Sequence, residues 1–278
     1  MNKLNFKNYF AVFGNPISHS KSPIIHKYFS KKSNINSRYI KLLSSTKTFY
    51  WDLIKFFYRF GLGANITLPF KEKAFNLCDK LTKRAKLSES VNTLKKLKNN
   101  LILGDNTDGI GLISDLKSYN FTYNNKNLLL LGAGGASKGV IPDLLKDKFN
   151  IFILNRTFKN ALLLEKKYKK LGLIKAISYD FIKKNFFGII INATSLSILN
   201  KIPNLPNFII SKNIICYDMF YQKKDTIFLK WCKNLGARYT FDGLGMLIHQ
   251  AAHSFFLWHG IFPNIKKNFL SLKKKIFL

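Results

Sequence analysis

Residues 126–139 read KNLLLLGAGGASKG, and this stretch decides the fold. Leu128–Leu131 is a continuous apolar run, which is the pattern of a parallel strand buried on both faces. The glycines behind it form a tight turn, and a helix follows the turn. Further along, strand-like runs alternate with helical sequence: Ile151–Leu154, a helix at about 158–171, Ala176–Ile177, Gly188–Ile191 and Ile214–Tyr217. This alternation predicts a doubly wound parallel sheet.

The glycine turn has the features of a dinucleotide site. Gly132 permits the tight turn, while Gly134 and Gly135 let the backbone approach a pyrophosphate at the start of the helix. Ser137 stands where the third glycine of the usual fingerprint would be, so the motif is a variant. The glycines alone leave open a plain packing turn that binds nothing.

The next strand indicates which dinucleotide would bind. An NAD site places an acidic residue about 20 residues further on, to bond the ribose 2′-hydroxyl. Here the strand ends in Asn155-Arg156-Thr157, with no acid. A guanidinium, an amide and a hydroxyl suit a 2′-phosphate, which favours NADP over NAD. The alternative is that Arg156 is only a solvated loop charge.

The remainder of the chain predicts a second, less regular α/β region. It contains an N-terminal strand closed by Gly14-Asn15-Pro16, and a helix that opens at Ser22-Pro23 with Ser22 as N-cap. It also contains a strand at Ala64–Leu68 ended by Pro69, a helix carrying Lys71, a hairpin formed by 91–97 and 100–103, and a helix through Met246–His259.

Length and composition limit the class of protein. The chain has 278 residues and is 47% hydrophobic, which suggests two domains and excludes a disordered protein. The 46 basic residues against 14 acidic give a formal charge of +32, but only five of the basic residues are arginine. A surface that binds nucleic acid specifically would use more arginine, so the charge favours a compositional bias.

Cysteines and hydropathy indicate the compartment. Cys78, Cys216 and Cys232 are an odd number without metal-ligand spacing, which is typical of reduced thiols. The N-terminal residues lack the apolar region of a signal peptide, and no apolar run approaches about 18 residues. We therefore expect a cytoplasmic protein that does not enter membranes.

Four polar clusters lie in the N-terminal region where strands stop, which is where a rigid scaffold usually carries its functional residues. They are residues 15–23, 65–71, 91–93 and 104–109. Hydroxyls, an amide, one lysine and one aspartate taken from these clusters would together suit a small polyhydroxylated acid. Each residue also has a purely structural alternative: a helix cap for Ser20 or Ser22, a strand position for Thr67, and a turn for Asp108.

Taken in order, these motifs resemble the shikimate dehydrogenase family. The resemblance extends from residue 11 to residue 260 and rests on AVFGNPISHSKSPIIH, NITLPFKEKAF, VNT, GDNTDGIGL, LLGAGGASKGV, NRT, INATS, CYDMFYQ and DGLGMLIHQAAHSFFLWHG. It implies an N-terminal α/β substrate-binding domain, 1–112, that is completed by returning C-terminal helices, 244–278. It also implies a Rossmann-like NADP-binding domain at 113–243.

The resemblance also implies roles for residues at matching positions. Lys71 and Asp108 match the catalytic pair, with Lys71 as general acid and base. Residues that match the substrate site are Ser20, Ser22, Thr67, Lys71, Asn92, Asp108, Tyr221 and Gln250. Residues that match the NADP site are Gly132, Ala133, Gly134, Gly135, Ala136, Asn155, Arg156, Thr157, Met219 and Gly243. The implied reaction is the reversible reduction of 3-dehydroshikimate by NADPH.

Two positions depart from the family pattern. Asn160 stands where relatives commonly carry a second arginine, and Lys159 beside it is only a point charge, so discrimination of the 2′-phosphate could be weaker. Lys83 stands where an acidic residue is frequent. A closely related enzyme that also oxidises quinate, with NAD as cofactor, is the nearest alternative.

Two further patterns suggest other functions. His249 and His253 have helical zinc-site spacing, but Gln250 replaces the glutamate of a metalloprotease, so we expect no metal. The lysine-rich C-terminal segment could adhere to polyanions, but a solvated helix face is the better explanation. We expect a small-molecule substrate and no specific nucleic acid, and both a monomer and a homodimer remain open.

Overall fold

The computed structural model describes residues 8–121 and 125–277. The chain divides into two compact units, and each is described by itself. The first consists of residues 1–111 and 248–278, and the second is formed by residues 112–247. Residues 1–7, on which the signal-peptide expectation rests, lie outside the described residues.

The first unit is built on a six-stranded mixed sheet with the order β2-β1-β3-β5-β6-β4. Strand β1 pairs in parallel with β2 and β3, while β5 runs antiparallel to both β3 and β6. The strands and helices are β1 (Tyr9–Gly14), α1 (Ser22–Lys32), β2 (Arg38–Leu43), α2 (Phe49–Arg59), β3 (Gly61–Ile66), α3 (Lys71–Asn76), β4 (Lys80–Leu81), α4 (Lys83–Ser88), β5 (Thr93–Lys96), β6 (Ile102–Asp105) and the start of α5 (Asp108–Ser118).

Aromatic residues fill much of the core of the first unit. Helix α2 turns Phe49, Leu53, Phe56 and Phe57 inward, at the spacing of one helix face. Phe13 of β1 meets both Phe49 and Phe56 edge to face, with ring centroids 6.1 and 5.6 Å apart. This packing fixes the sheet whose strand ends carry the polar clusters.

Two C-terminal helices complete the first unit: the part of α9 (Leu244–His259) beyond residue 248, and α10 (Ile265–Phe277). The indole of Trp258 stacks on Phe10 at 4.6 Å and donates a hydrogen bond to the carbonyl of Leu94 at 2.9 Å. The C-terminal helices therefore belong to the core of this unit, as the resemblance implied.

The second unit contains a parallel six-stranded sheet with the order β12-β11-β10-β7-β8-β9. Its elements are β7 (Asn127–Leu131), α6 (Gly135–Lys146), β8 (Asn150–Leu154), α7 (Phe158–Tyr168), β9 (Ile174–Ala176), β10 (Ile189–Asn192), β11 (Ile215–Asp218), α8 (Ile227–Asn234) and β12 (Tyr239–Asp242). The strand order reverses between β7 and β10, which is where ligands bind in such sheets. The predicted doubly wound sheet is confirmed.

One local prediction is wrong, and one of the structural alternatives does not hold. Ser22 is not the N-cap of α1: Lys21 holds that position, Ser22 is the first helical residue, and the end has no side-chain cap. Asp108 is not a turn residue, because α5 begins there. Local sequence rules would pair the Ser22 hydroxyl and the Asp108 carboxylate with nearby backbone N–H groups. In the structure both side chains can bond other partners. Among the described residues, no helix has the length and apolar character needed to cross a membrane.

Candidate active site

A lysine and an aspartate from separate helices meet in the first unit. Lys71 is the first residue of α3 and Asp108 the first residue of α5. The Nζ of Lys71 lies 2.5 Å from the Oδ2 of Asp108. The lysine side chain is 25% exposed and the aspartate side chain 12%, so the pair is reachable from solvent and largely enclosed by protein.

Asn92 holds the carboxylate from its other side. Its Nδ2 donates to the Oδ1 of Asp108 at 2.8 Å and to the Oγ1 of Thr107 at 3.0 Å. Its Oδ1 accepts from the backbone N–H of Thr107 at 2.8 Å and from the hydroxyl of Thr93 at 2.7 Å. Asn92 is 3% exposed. Because both the nitrogen and the oxygen of its amide are hydrogen-bonded, Asn92 holds the Asp108 carboxylate in one orientation.

Gln250 of α9 reaches the same cluster from the C-terminal helices. Its Oε1 lies 3.4 Å from the Oγ1 of Thr107 and 3.5 Å from the Nδ2 of Asn92. Four of the predicted site residues, Lys71, Asn92, Asp108 and Gln250, are thus joined by one chain of contacts in this unit.

The predicted hydroxyl residues lie on neighbouring elements of the first unit. Ser20 is half-buried, and its Oγ accepts from the backbone N–H of Ser22 at 3.4 Å. Ser22 is 7% exposed. Thr67 follows β3, is half-buried, and donates its backbone N–H to the carbonyl of Phe13. No described hydrogen bond joins these three side chains directly to the Lys71–Asp108 pair.

Tyr39 of β2 provides an indirect link that the sequence did not reveal. Its hydroxyl donates to the Oδ1 of Asn65 at 2.7 Å and is also hydrogen-bonded by Ser22. Burial raises the pKa of Tyr39 well above its usual value, so the hydroxyl stays protonated. The ring of buried His26 stacks on Tyr39 at 4.3 Å, and burial lowers the pKa of His26 to about 3.

From Asn65 the series of hydrogen bonds continues through buried hydroxyl groups. Its Nδ2 donates to Ser254 at 3.0 Å and to Thr93 at 3.1 Å, and Ser254 lies 3.2 Å from the hydroxyl of Thr107. Ser22 is therefore connected to Asp108 entirely through side chains of the first unit. Asn65, Thr93 and Thr107 stand inside the polar clusters found in the sequence, whereas nothing local marks Tyr39 or Ser254.

The glycine loop of the second unit has an open backbone. Gly132 has a φ of +100°, which favours glycine, and begins the turn after β7. Gly134, Gly135 and Ala136 are exposed, and nothing in residues 8–121 or 125–277 lies within 4 Å of a Cβ built on either glycine. Buried Ser137 donates its hydroxyl to the carbonyl of Gly132 at 2.7 Å, which explains why a serine serves in the variant motif.

The loop after β8 is tied to the glycine loop. The Oδ1 of Asn155 accepts from the N–H of Ala133 at 3.1 Å, and its Nδ2 donates to the carbonyl of Thr157 at 2.8 Å. Arg156, Thr157 and Lys159 are exposed. The structure thus brings the predicted 2′-phosphate loop beside the pyrophosphate loop, with the cations of Arg156 and Lys159 facing solvent.

Met219 and Gly243 also meet in the second unit. Gly243 is buried, and a Cβ at this position would lie 2.1 Å from the carbonyl oxygen of Met219, so only glycine fits. Tyr221 is half-buried two residues further along, and burial raises the pKa of its hydroxyl. Because Tyr221 belongs to the second unit and the serines to the first, its predicted place beside them stays a prediction.

Comparison with known proteins decides the family. Three family models match the chain: the shikimate dehydrogenase substrate binding domain at residues 12–94, shikimate/quinate 5-dehydrogenase at 115–199, and the shikimate 5′-dehydrogenase C-terminal domain at 243–267. A shikimate dehydrogenase (NADP(+)) of Blochmanniella pennsylvanica is 49% identical over 280 residues, which cover 93% of this chain and 95% of the relative. The chain belongs to the shikimate dehydrogenase family.

Solved structures agree with this assignment to the shikimate dehydrogenase family. An Ael1 enzyme from Pseudomonas putida is 33% identical, with a TM-score of 0.89 and 98% of both chains covered. The shikimate 5-dehydrogenase of Thermus thermophilus, solved with NADP(H) and shikimate, is 27% identical with a TM-score of 0.85, covering 97% of this chain and 98% of that one. The predicted family, α/β fold and NADP-linked oxidoreductase class are confirmed.

The family assignment leaves the individual site residues as predictions. His249 and His253 lie on α9, and burial lowers the pKa of each to about 4. No group of three or more His, Cys, Asp or Glu within the described ranges is placed to hold a metal ion. The assignment of the chemistry to Lys71 and Asp108 remains a prediction.

Proposed function

We propose that this chain reduces the keto group of 3-dehydroshikimate to the alcohol of shikimate with NADPH, and catalyses the reverse oxidation with NADP. The single observation that supports the residue assignment most is the Lys71–Asp108 pair at 2.5 Å, held by Asn92 within one buried polar network. An ammonium beside a carboxylate, at the edge of a network of hydroxyl and amide groups, fits a polyhydroxylated ring.

Residues of the first unit hold the substrate in this proposal. The hydroxyls of Ser20 and Ser22 bind the carboxylate, and Tyr221 is a further proposed substrate contact. Thr67, Asn92 and Gln250 contact the ring hydroxyls, with Lys71 and Asp108 at the carbon that reacts. Asn92 and Gln250 are buried and already hydrogen-bonded to their neighbours, so little side-chain entropy is lost when the ring binds.

Lys71 moves the proton. In the reducing direction its Nζ donates a proton to the oxygen of the former carbonyl, and its positive charge stabilises the negative charge that develops there. In the oxidising direction a neutral Lys71 accepts the hydroxyl proton. Asp108 keeps the Nζ at the reacting oxygen, and Asn92 keeps Asp108 in place through the 2.8 Å hydrogen bond.

The second unit fits NADP. The glycine loop presents open backbone at the start of α6, where the first N–H groups of a helix lack partners within the helix and attract phosphate. Gly132, Ala133, Gly134, Gly135 and Ala136 hold the pyrophosphate. Asn155, Arg156 and Thr157 hold the 2′-phosphate, and Met219 and Gly243 line the nicotinamide end. When bound, NADPH supplies the hydride that reduces the carbonyl carbon.

Several finer assignments belong to the same proposal. Residues 1–112 with 244–278 form the substrate-binding domain, and residues 113–243 the NADP-binding domain. The three free cysteines, Cys78, Cys216 and Cys232, support a cytoplasmic location. With a formal charge of +32, the protein binds polyanions only weakly and without sequence selectivity. The chain acts as a monomer or a homodimer.

A two-by-two assay tests the function: shikimate or quinate as substrate, each with NADP or NAD. We expect rapid turnover of shikimate with NADP and much slower turnover in the other three combinations. Equal turnover of quinate, or a preference for NAD, would replace the proposal with that of a quinate/shikimate enzyme. RNA that survives purification is expected to dissociate at moderate salt, and sequence-selective RNA binding without turnover would refute the enzyme assignment.

A further inference from the structure

A buried carboxylate lies at the carboxyl edge of the second sheet, where β11 ends. Asp218 is fully buried and is the last residue of β11. The proposed adenosine side of NADP lies over β7 and β8, so a dinucleotide that crosses the reversal of strand order places its nicotinamide half over β10 and β11. The inference that follows rests on this part of the proposed function.

Asp218 accepts four hydrogen bonds. Its Oδ2 accepts from the hydroxyls of Ser197 and Thr226, each at 2.6 Å. Its Oδ1 accepts from the backbone N–H of Phe220 at 3.1 Å and from the Nδ2 of Asn192 at 3.3 Å. Burial raises the pKa of this carboxyl, and the four donors oppose that rise. The donors thus supply what water would otherwise give a buried carboxylate.

These bonds tie together two loops that are far apart in sequence. Ser197 lies in the loop after β10, and Asn192 closes the start of that loop by accepting at Oδ1 from the hydroxyl of Thr194 at 2.7 Å. Phe220 and Thr226 lie in the loop after β11. Thr226 also caps α8 by accepting from the N–H of Leu229 at 3.3 Å, so the far end of that loop is anchored to a helix.

Met219 lies between these anchored points. Its backbone N–H donates to the carbonyl of Asn192 at 2.9 Å, and its carbonyl presses on Gly243, where a Cβ would come within 2.1 Å. The N–H of Gly243 donates to the carbonyl of Phe220 at 3.1 Å. Hydrogen bonds on both sides of Met219 therefore connect the residues assigned to the nicotinamide end to Asp218.

We propose that Asp218 is a positioning residue for hydride transfer: it fixes the loops after β10 and β11 so that the nicotinamide end of the cofactor site has one shape. The glycine loop has additional anchors of its own, Ser137 and Asn155, so we expect the adenosine end to change less than the nicotinamide end. A role in general stability would affect both ends alike. The two ends can be measured apart with different ligands.

The test compares Asp218→Asn with the unaltered chain for two ligands, NADPH and adenosine 2′,5′-bisphosphate, which lacks the nicotinamide half. The NH₂ group of the amide takes the place of one carboxylate oxygen, so it faces either the two hydroxyls on Oδ2 or the two N–H groups on Oδ1, and the two hydrogen bonds accepted there are lost or reversed. We expect NADPH to bind at least tenfold more weakly and kcat to fall at least tenfold, while the bisphosphate changes by less than about twofold. Ser197→Ala, which removes one donor, and Thr226→Val, which removes one donor and the cap of α8, should give smaller changes of the same pattern.

Asn150→Ala is the matched control. Its Nδ2 donates to Asn127 at 2.9 Å at the amino edge of the same sheet, so the variant loses a hydrogen bond far along the strands from the loops. It should leave the ratio of the two affinities unchanged. If Asp218→Asn does not fold, the Ser197 and Thr226 variants decide. Parallel weakening of both ligands, or no change in either, would overturn the positioning role, whereas an unaltered chain without turnover would instead refute the proposed function.

Discussion

The two units form their candidate sites from different parts of the chain. In the first, the site consists of buried side chains: Asn92, Thr107 and Gln250 bond to one another and to Asp108. In the second, the glycine loop after β7 offers exposed backbone, and the charged groups beside it point to solvent. The site of the first unit is formed by side chains that are hydrogen-bonded to one another, and the site of the second unit is formed by the backbone conformation of the glycine loop.

This difference teaches where each site is vulnerable. In a buried network each group is a partner of the next, so the loss of one leaves others unsatisfied, and the cost exceeds a single bond. A backbone loop tolerates changes at its exposed side chains and depends instead on its shape and on one or two cations. Substitutions in the first unit should therefore affect chemistry and substrate affinity, and those at Arg156 should affect cofactor choice.

The largest effect is expected at the end of the buried network, with Lys71→Ala. Loss of the proton donor should lower kcat by about two to four powers of ten, with a smaller change in KM for shikimate. Steady-state kinetics with NADP measure this. Lys73→Ala is the control, because Lys73 lies on the same helix but is exposed and donates to the carbonyl of Thr46. Unchanged turnover in Lys71→Ala would remove this residue from the mechanism.

Arg156→Asp tests the other side of the comparison. A hydrogen bond to a charged group contributes about 1.5–3 kcal/mol, so KM for NADP should rise about tenfold to a hundredfold, while KM for NAD changes little. Arg59→Asp makes the same charge change at an exposed position of the first unit. If Arg59→Asp weakens NADP equally, the effect comes from overall charge and not from a 2′-phosphate site.

Asp115 shows that the second unit also buries a carboxylate side chain, and its effect should appear in stability. Burial raises the pKa of Asp115 from 3.8 to about 7, against hydrogen bonds from Tyr217 and Tyr119, with Asp242 adding to the rise. Between these values the folded state keeps a proton that the unfolded state has lost, so the free energy of unfolding falls as pH rises and levels off above pH 7.

Asp115→Asn cannot titrate, so its stability relative to the unaltered chain should increase by about 3 kcal/mol between pH 4.5 and pH 8. Urea unfolding at both pH values measures the difference. Asn150→Ala, which removes a hydrogen bond in the same unit without changing a titratable group, should differ from the unaltered chain by the same amount at both pH values. A constant difference between the Asp115 variant and the unaltered chain would contradict a raised pKa.

The smallest effect is expected from Tyr39→Phe, which cuts the side-chain connection between Ser22 and Asn65. Loss of one hydrogen bond contributes about 1 kcal/mol, so KM for shikimate should rise about fivefold while kcat stays within twofold. Tyr28→Phe is the control, since its hydroxyl bonds Asn268 at 3.0 Å instead. A fall in kcat without a change in KM would place Tyr39 in the chemistry and not in carboxylate binding.

Local sequence predicted the second unit better than the first, for a physical reason. A parallel strand buried on both faces appears as an unbroken apolar run, and β7, β8, β10 and β11 were each found in this way. Helix α2 was missed because its outward face is also aromatic: Trp51 is 68% and Tyr58 88% exposed, which hides the alternation of polar and apolar faces.

The candidate site was predicted in part. The four polar clusters contain Lys71, Asn92 and Asp108, because chemistry concentrates where strands stop. Tyr39 and Asn65 are separated by 26 positions in the sequence, and Asn65 and Ser254 by 189 positions. Only tertiary packing brings these hydrogen-bonded partners together. Ser22 shows the same limit: its place beside a proline predicts a helix cap, whereas its side chain bonds Tyr39 of β2 instead.

The first unit is interrupted in sequence, and this has a consequence for its synthesis. Residues 8–111 leave the ribosome long before α9, and at typical elongation rates the intervening 112–247 take about 10 s to be made. Until then the nascent sheet lacks the indole that covers Phe10 and bonds Leu94, and the hydroxyl of Ser254 that completes its polar cluster. The first unit thus begins to be translated before the second unit and is completed only after it.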